Sequence, residues 1–407
     1  MKTTKKILRF LFGILIGVAI GYGGVMLTLW LTGNMGDSGE STESGVDIGM
    51  LLLSIGLVLV SLVVSVIIHL VLHEAGHLIM GLLTGYRFLS FRIFNITLVK
   101  TTEGFRFKRF HLAGTGGQCL LDFPEDQNPD EAPWFWYNAG GVLMNLLLIV
   151  LSVVLLRCLH PGIVGLSFFM MMIFVGLYLA VVNGIPMCVN GVSNDGYNIL
   201  TLWRHPEKRR FFVRLLQATG KQSIGVRPQE MPKEWFEDIP LNEDSDLFEM
   251  LNRTIYMTLL EDTGRYEEAR MVSEELVSMG NRLPMLYHME VGCERVMLEL
   301  LTSNRKSVVD QIWTEKLEKY TLENCKFSPM KLAVLHTYAL LYDHDIEKAN
   351  EYKRQLEERQ HDFVMPGEVL TAMALMDAGK AKWERMENLK SEIEASSSEK
   401  GILNLPI

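Results

Sequence analysis

Hydrophobic residues are spread unevenly along this chain. Before about residue 205 they come in long runs, and after it charged residues recur in every turn. Four runs carry the first part: Ile7 to Leu31, Ile48 to Leu83, Trp134 to Leu159 and Ile163 to Ile185. A helix needs about 20 apolar residues to cross the hydrocarbon core of a bilayer. The second run exceeds that, so it must tilt, break or project beyond the lipid. From Leu247 the pattern changes: LFEMLNRTIYMTLLEDTGRYEEARMVSEELVSMG places apolar residues three and four apart between acids and bases, the mark of soluble amphipathic helices. The pattern predicts a mainly α protein, with a polytopic helical membrane domain of about four spans followed by a soluble helical domain.

Between the second and third runs, FLSFRIFNITLVKTTEGFRFKRFHL departs from helical spacing. Its parts Phe88 to Val99 and Phe105 to His111 alternate partially, are rich in β-branched and aromatic residues, and are divided by the turn signal T-T-E-G. A small β-hairpin insertion is expected, either as a structural cap or as an edge that receives an extended peptide as an added strand. The glycines of GTGGQ, Gly114 to Gln118, read as a turn. The resulting domain boundaries are 1–47 for an anchor with an acidic loop, 48–204 for the membrane core, 205–246 for a linker, 247–395 for the helical domain and 396–407 for a flexible tail.

Charge orients the spans. Lys2, Lys5, Lys6 and Arg9 precede the first run, which lacks a small-residue cleavage site and reads as an uncleaved anchor with its amino terminus in the cytoplasm. The acidic GNMGDSGESTESGVD then lies outside. The loop bearing Arg87, Arg92, Lys100, Arg106, Lys108 and Arg109 lies inside, as does RHPEKRR after the fourth run, so the soluble domain faces the cytoplasm. A bacterial plasma membrane is the simplest setting. The formal net charge of −9 argues against a nucleic-acid partner. Five cysteines without C-x-x-C spacing indicate neither a disulfide framework nor a cysteine zinc site.

One stretch of the second run is chemically out of place. From His69 to Met80 it reads HLVLHEAGHLIM, which sets three histidines and a glutamate among apolar residues. Burying such groups is costly unless they are paired or bound to metal. His73, Glu74 and His77 form H-E-x-x-H, which on a helix stacks two imidazoles one turn apart with the glutamate beside them. That arrangement suits Zn2+ with Glu74 as general base for hydrolysis. His69, one turn earlier on the same face, is either a satisfied interior histidine or a hydrogen-bonding neighbour of the cluster. A catalytic zinc usually takes a third protein ligand. Asp195 in NGIPMCVNGVSNDGYNIL is the candidate, its competing role being a helix N-cap.

Taken together, these motifs resemble the site-2 protease family of intramembrane zinc metalloproteases. The likeness covers roughly residues 48 to 204. It implies His73, His77 and Asp195 as zinc ligands and Glu74 as catalytic base. Asn183 and Pro186 match the family's Asn-x-x-Pro element. In GGVLMN, Gly141 and Asn145 match its Gly-Pro-x-x-Asn, in which the asparagine helps hold substrate or transition state. Val142 replaces the usual proline, and Asn194 stands where leucine commonly precedes Asp-Gly. In the soluble part, D-T-G-R-Y-E-E-A resembles the turn of a tetratricopeptide-like hairpin, and similar polar-turn-then-helix segments recur every 35 to 40 residues or so.

The expected function is an intramembrane zinc metalloendopeptidase that cleaves a membrane-embedded protein or peptide near the cytoplasmic side, with the helical repeats offered to a cytoplasmic protein partner. The competing expectation is a non-catalytic membrane scaffold of the same fold.

Overall fold

The computed structural model describes residues 48–101, 103–110, 115–189 and 192–402. The first apolar run and the acidic loop, residues 1–47, lie outside the described residues. In chain order the elements are helix α1 (Ile48–Leu83), strands β1 (Arg87–Ile93), β2 (Ile96–Thr101), β3 (Gly104–Arg109) and β4 (Gly117–Asp122), and helices α2 (Trp134–Leu159) and α3 (Ile163–Gly184). Two short strands follow, β5 (Cys188–Val189) and β6 (Val192–Ser193), then α4 (Asp195–Arg204) and α5 (Arg209–Ser223). The helical array comprises α6 (Leu247–Asp262), α7 (Tyr266–Ser278), α8 (Met285–Leu301), α9 (Lys306–Ile312), α10 (Glu315–Asn324), α11 (Pro329–Leu341), α12 (Ile346–Arg359) and α13 (Pro366–Ile402).

These elements form two compact units, one made of α1, α2, α3 and the first turns of α4, the other of the sheet, α5 and the helical array. In the first unit, α1, α2 and α3 are each long and apolar enough to cross a membrane, and each packs on the other two. Their exteriors carry the apolar side chains: Val60, Val63, Leu147 and Val150 are all exposed. The polar side chains face inward, beside buried apolar ones such as Leu148, Met171 and Val175. Ser61, Ser65, His69, His73 and His77 recur every four residues along one buried stripe of α1. That inversion suits lipid, which offers no partner to a polar side chain and so drives it into the bundle. At the α1–α2 crossing, a Cβ added to Gly76 would stand 2.3 Å from the Gly140 carbonyl oxygen, and one on Gly140 2.4 Å from that of Gly76. Only glycine lets these backbones meet.

In the second unit the sheet runs β3-β2-β1-β4, antiparallel throughout, with Phe91 opposite both Leu98 and Cys119. The expected hairpin is therefore four strands. The run Phe88 to Val99 is cut at Phe94, which takes φ 53°, and β4 begins within the segment whose glycines read as a turn, at Gly117. There Cys119 and Leu121 are buried while their neighbours are less so, a strand alternation too short to stand out beside glycines.

Residues 205–246 are not a bare linker. Phe211, Phe212, Val213 and Leu216 are buried along α5, the Gln217 amide donates to the Phe123 carbonyl at 3.1 Å, and Trp235 and Phe236 share a core with Met250, Met257 and Leu260. This burial ties the segment and the sheet into the helical unit. Asp246 caps α6 by accepting from the Phe248 and Glu249 amides. Gly264, at φ 75°, makes the reversal into α7, within the D-T-G-R-Y signature read from sequence. Helix α13 runs to Ile402, into the segment read as a tail.

The helical array also buries charge. Lys331 on α11 is 1% exposed and donates to Glu290 at 2.6 Å. Glu261, Glu294 and Glu368 feel the same ammonium. Burial, reinforced by the charge of Glu290 and opposed by Lys331, pushes the Glu368 carboxyl up to about 7. Burial likewise raises Glu261 and Glu294.

Candidate metal centre

Helix α1 stacks His73 and His77 one turn apart, and α4 begins at the residue that meets them. His73 Nε2 is 3.3 Å from Asp195 Oδ2, His77 Nε2 is 3.5 Å from Asp195 Oδ1, and the two Nε2 atoms are 3.2 Å apart. Both imidazoles are 8% exposed, and Glu74, between them in sequence, is 7% exposed. Asp195 Oδ2 is buried without a hydrogen-bond partner.

The competing cap role falls to the preceding residue. Asn194 Oδ1 accepts from the Tyr197 amide at 2.9 Å and the Met187 amide at 3.0 Å, while its Nδ2 donates to the carbonyls of Val182 and Ile185, each at 2.6 Å. Asn194, the departure from the family pattern, thus stitches the end of α3 to the start of α4 and leaves the Asp195 carboxylate free to face the histidines.

Hydrogen bonds on the outer nitrogens decide which ring atoms carry protons. His77 Nδ1 is 2.7 Å from the Tyr137 carbonyl, which only accepts, so Nδ1 carries a proton and in the neutral ring Nε2 keeps its lone pair. His69 Nε2 likewise donates to the Met172 carbonyl at 2.9 Å, which leaves His69 Nδ1 an acceptor in the neutral ring. The Asn145 carboxamide bridges the two remaining nitrogens: its Oδ1 lies 3.1 Å from His69 Nδ1 and its Nδ2 3.0 Å from His73 Nδ1. With neutral rings every group pairs once the amide is turned by half a rotation, which exchanges atoms of nearly identical shape. The amide then donates to His69, its oxygen accepts from His73 Nδ1–H, and His73 Nε2 also keeps a lone pair.

With both rings neutral, two imidazole lone pairs and a carboxylate converge, an arrangement that a cation between them relieves. His73, His77 and Asp195, with donor atoms all within 4.8 Å of one another, could hold a metal ion. Space is left on one side by Gly141 of α2, where a Cβ would stand 2.5 Å from the Nε2 atoms of both His73 and His77.

The structure therefore brings together His73, His77 and Asp195, with Glu74 on the same turn of α1. It sets Asn145, 0% exposed, behind His73. Asn183 spends its amide on the Leu179 carbonyl one turn back in its own helix, at 2.9 Å, and Pro186 follows in the loop before β5. Sequence reasoning left the role of His69 open and missed the Tyr137 carbonyl. The four-residue spacing of His69 from His73 was the available signal for the first, whereas a backbone acceptor leaves none. No family model, curated protein or solved structure matches the chain.

Proposed function

We propose that this chain is an intramembrane zinc metalloendopeptidase of the site-2 protease kind, cleaving a peptide bond in or near a membrane-embedded segment close to the cytoplasmic face. The observation that carries the reading is the convergence of Asp195, more than a hundred residues downstream, on the two histidines of an H-E-x-x-H helix. The donor types support zinc: two histidine Nε2 atoms 3.2 Å apart face a carboxylate that meets one with each oxygen, at 3.3 and 3.5 Å, and two imidazoles with a carboxylate suit that ion.

Zinc, when bound, would supply a water acidic enough to ionise near neutral pH and an electrophile for the scissile carbonyl. The protein's own groups do the rest. Glu74 takes the proton of the attacking water and delivers it to the leaving amine. Tyr137, through its carbonyl, and Asn145, through its amide, fix the rotation and tautomer of the ligand imidazoles. The apolar exterior of α1, α2 and α3 keeps the site within reach of membrane-embedded chains, and the basic loops support the cytoplasmic orientation.

The test is Glu74→Gln in the full chain purified in detergent, assayed for zinc content and for cleavage of a panel of transmembrane-helix reporter peptides. Unchanged zinc with cleavage abolished is the expected result. A variant that still cleaves, or a wild-type chain that takes up no zinc, overturns the reading.

A further inference from the structure

Within the second unit, and separate from the histidine cluster, lies a groove of about 930 Å³ between β3 and the loops that follow α10 and α12. Its wall is strongly cationic. Strand β3 contributes Arg106, Lys108 and Arg109, and the helical array, more than two hundred residues later, contributes Lys326 and Arg359. Carboxylates do not balance these five charges. Asp362 lines the groove but lies 3.6 Å from Arg359 Nε, and Glu103 is engaged by Arg106. The Lys108 ammonium donates to the Phe363 carbonyl and feels the charge of Asp362, yet burial, the larger effect, holds it below the ordinary lysine range.

Positive-inside topology accounts for cations scattered on a loop, but not for their meeting cations delivered from the far side of a groove. Like charges brought together repel one another unless an anion occupies the space between them. Guanidinium forks match phosphate oxygens two at a time, and ammonium groups add point charges. The remaining wall is aromatic: Lys326 sits over the Phe327 ring at 5.2 Å and Arg359 over the Phe363 ring at 5.5 Å, so each head group is held at the groove rather than swept through solvent. Phe107, 76% exposed, and Ile96, 58% exposed, add apolar surface to the lining. The volume is several times what a bare phosphate fills, and this apolar lining calls for an organic group as well.

We propose that the groove binds a phosphate ester, its phosphate held by Arg106, Arg109, Lys326 and Arg359 and its organic part against Phe107 and Phe327. Two sources share that chemistry. One is the headgroup of an anionic phospholipid. The other is a soluble phosphate ester.

The experiment uses the full chain in nanodiscs of phosphatidylcholine, titrated with glycerol 3-phosphate, and repeated in nanodiscs that also contain phosphatidylglycerol. Saturable binding that weakens with added salt is expected in phosphatidylcholine. Suppression of that binding by phosphatidylglycerol identifies the headgroup as the occupant, and unchanged binding identifies the soluble ester. Arg109 and Lys326 are exposed, so Arg109→Glu with Lys326→Glu leaves the fold intact and should weaken binding about tenfold or more. Arg109→Lys with Lys326→Arg should retain it. Absence of binding by the wild-type chain, or equal binding by the charge-reversed variant, overturns the proposal.

Discussion

Asn145 occupies the Nδ1 side of His73, 3.0 Å away, while Nε2 of the same ring faces Asp195 at 3.3 Å. The asparagine is therefore engaged from within the protein at both ends of its amide. One end of its amide meets His73 and the other meets His69, which is itself anchored to the Met172 carbonyl at 2.9 Å. A chain of three side chains runs from the backbone of α3 to a ligand imidazole. An amide so engaged and 0% exposed is placed to orient His73, a role that one variant separates from the substrate-holding role implied by the family resemblance.

Asn145→Ala should accordingly weaken zinc affinity about 10- to 100-fold, the usual effect of losing a hydrogen-bonding partner behind a ligand. Chelator competition on the full chain in detergent measures it. At saturating zinc, cleavage should largely return, whereas a residue that held the transition state would leave activity depressed with zinc bound at wild-type affinity.

Gly141→Ala should abolish zinc binding while every ligand remains in place. The added methyl would stand 2.5 Å from both histidine Nε2 atoms, the atoms whose lone pairs must be free. Zinc content should fall to background in a chain that still purifies as a folded species. Gly140→Ala should instead fail at the fold, because its Cβ would meet backbone 2.4 Å away at the α1–α2 crossing and main chain cannot step aside. If Gly141→Ala kept full zinc occupancy, the metal would have to sit elsewhere.

Much of this site could be read before any coordinates, and the reason is local geometry. The spacing in H-E-x-x-H places two rings on one helix face whatever the rest of the chain does, so His73, Glu74 and His77 were legible as a unit. Asp195 was legible only as a candidate, because Asp and Asn side by side before a helix compete for one cap. The structure gives the cap to Asn194, whose Oδ1 accepts from the Tyr197 amide while its Nδ2 donates to the Val182 and Ile185 carbonyls at another helix end. The β4 strand stayed hidden behind its glycines, and residues 205–246 behind their charges, since burial of Phe211 or Trp235 depends on partners far away in sequence.

Asp195→Asn tests the donor set from the other direction. The amide keeps the volume but removes the charge that two imidazole lone pairs leave to it, so zinc affinity should fall by at least tenfold, roughly the loss of one charged interaction. Asn194→Ala should lower affinity less and thermal stability more, because it breaks the hydrogen bonds that join α3 to α4. Titration of both variants with zinc, alongside their melting curves, separates the two roles. Equal zinc affinity in wild type and Asp195→Asn would exclude Asp195 as a ligand.

The buried acids around Lys331 make stability depend on pH with a definite sign. Glu368 has its carboxyl pushed from an ordinary 4.5 up to about 7, so across that interval the folded chain binds a proton that the unfolded chain has released. Linkage then requires stability to fall as pH rises, with no cost below 4.5 and the full cost above about 7. Glu261 and Glu294, raised by the same burial, act in the same direction. Glu368→Gln removes one titrating group and keeps the shape, so the variant should gain about 1 to 2 kcal/mol on the wild type between about pH 5 and pH 8, a value discounted because the side chain is partly exposed. The measurement is the unfolding midpoint of the full chain in detergent at both pH values, for both proteins. A wild-type-to-variant difference that stays constant with pH would mean that Glu368 is ionised in the folded chain throughout, held by Lys331 despite its burial.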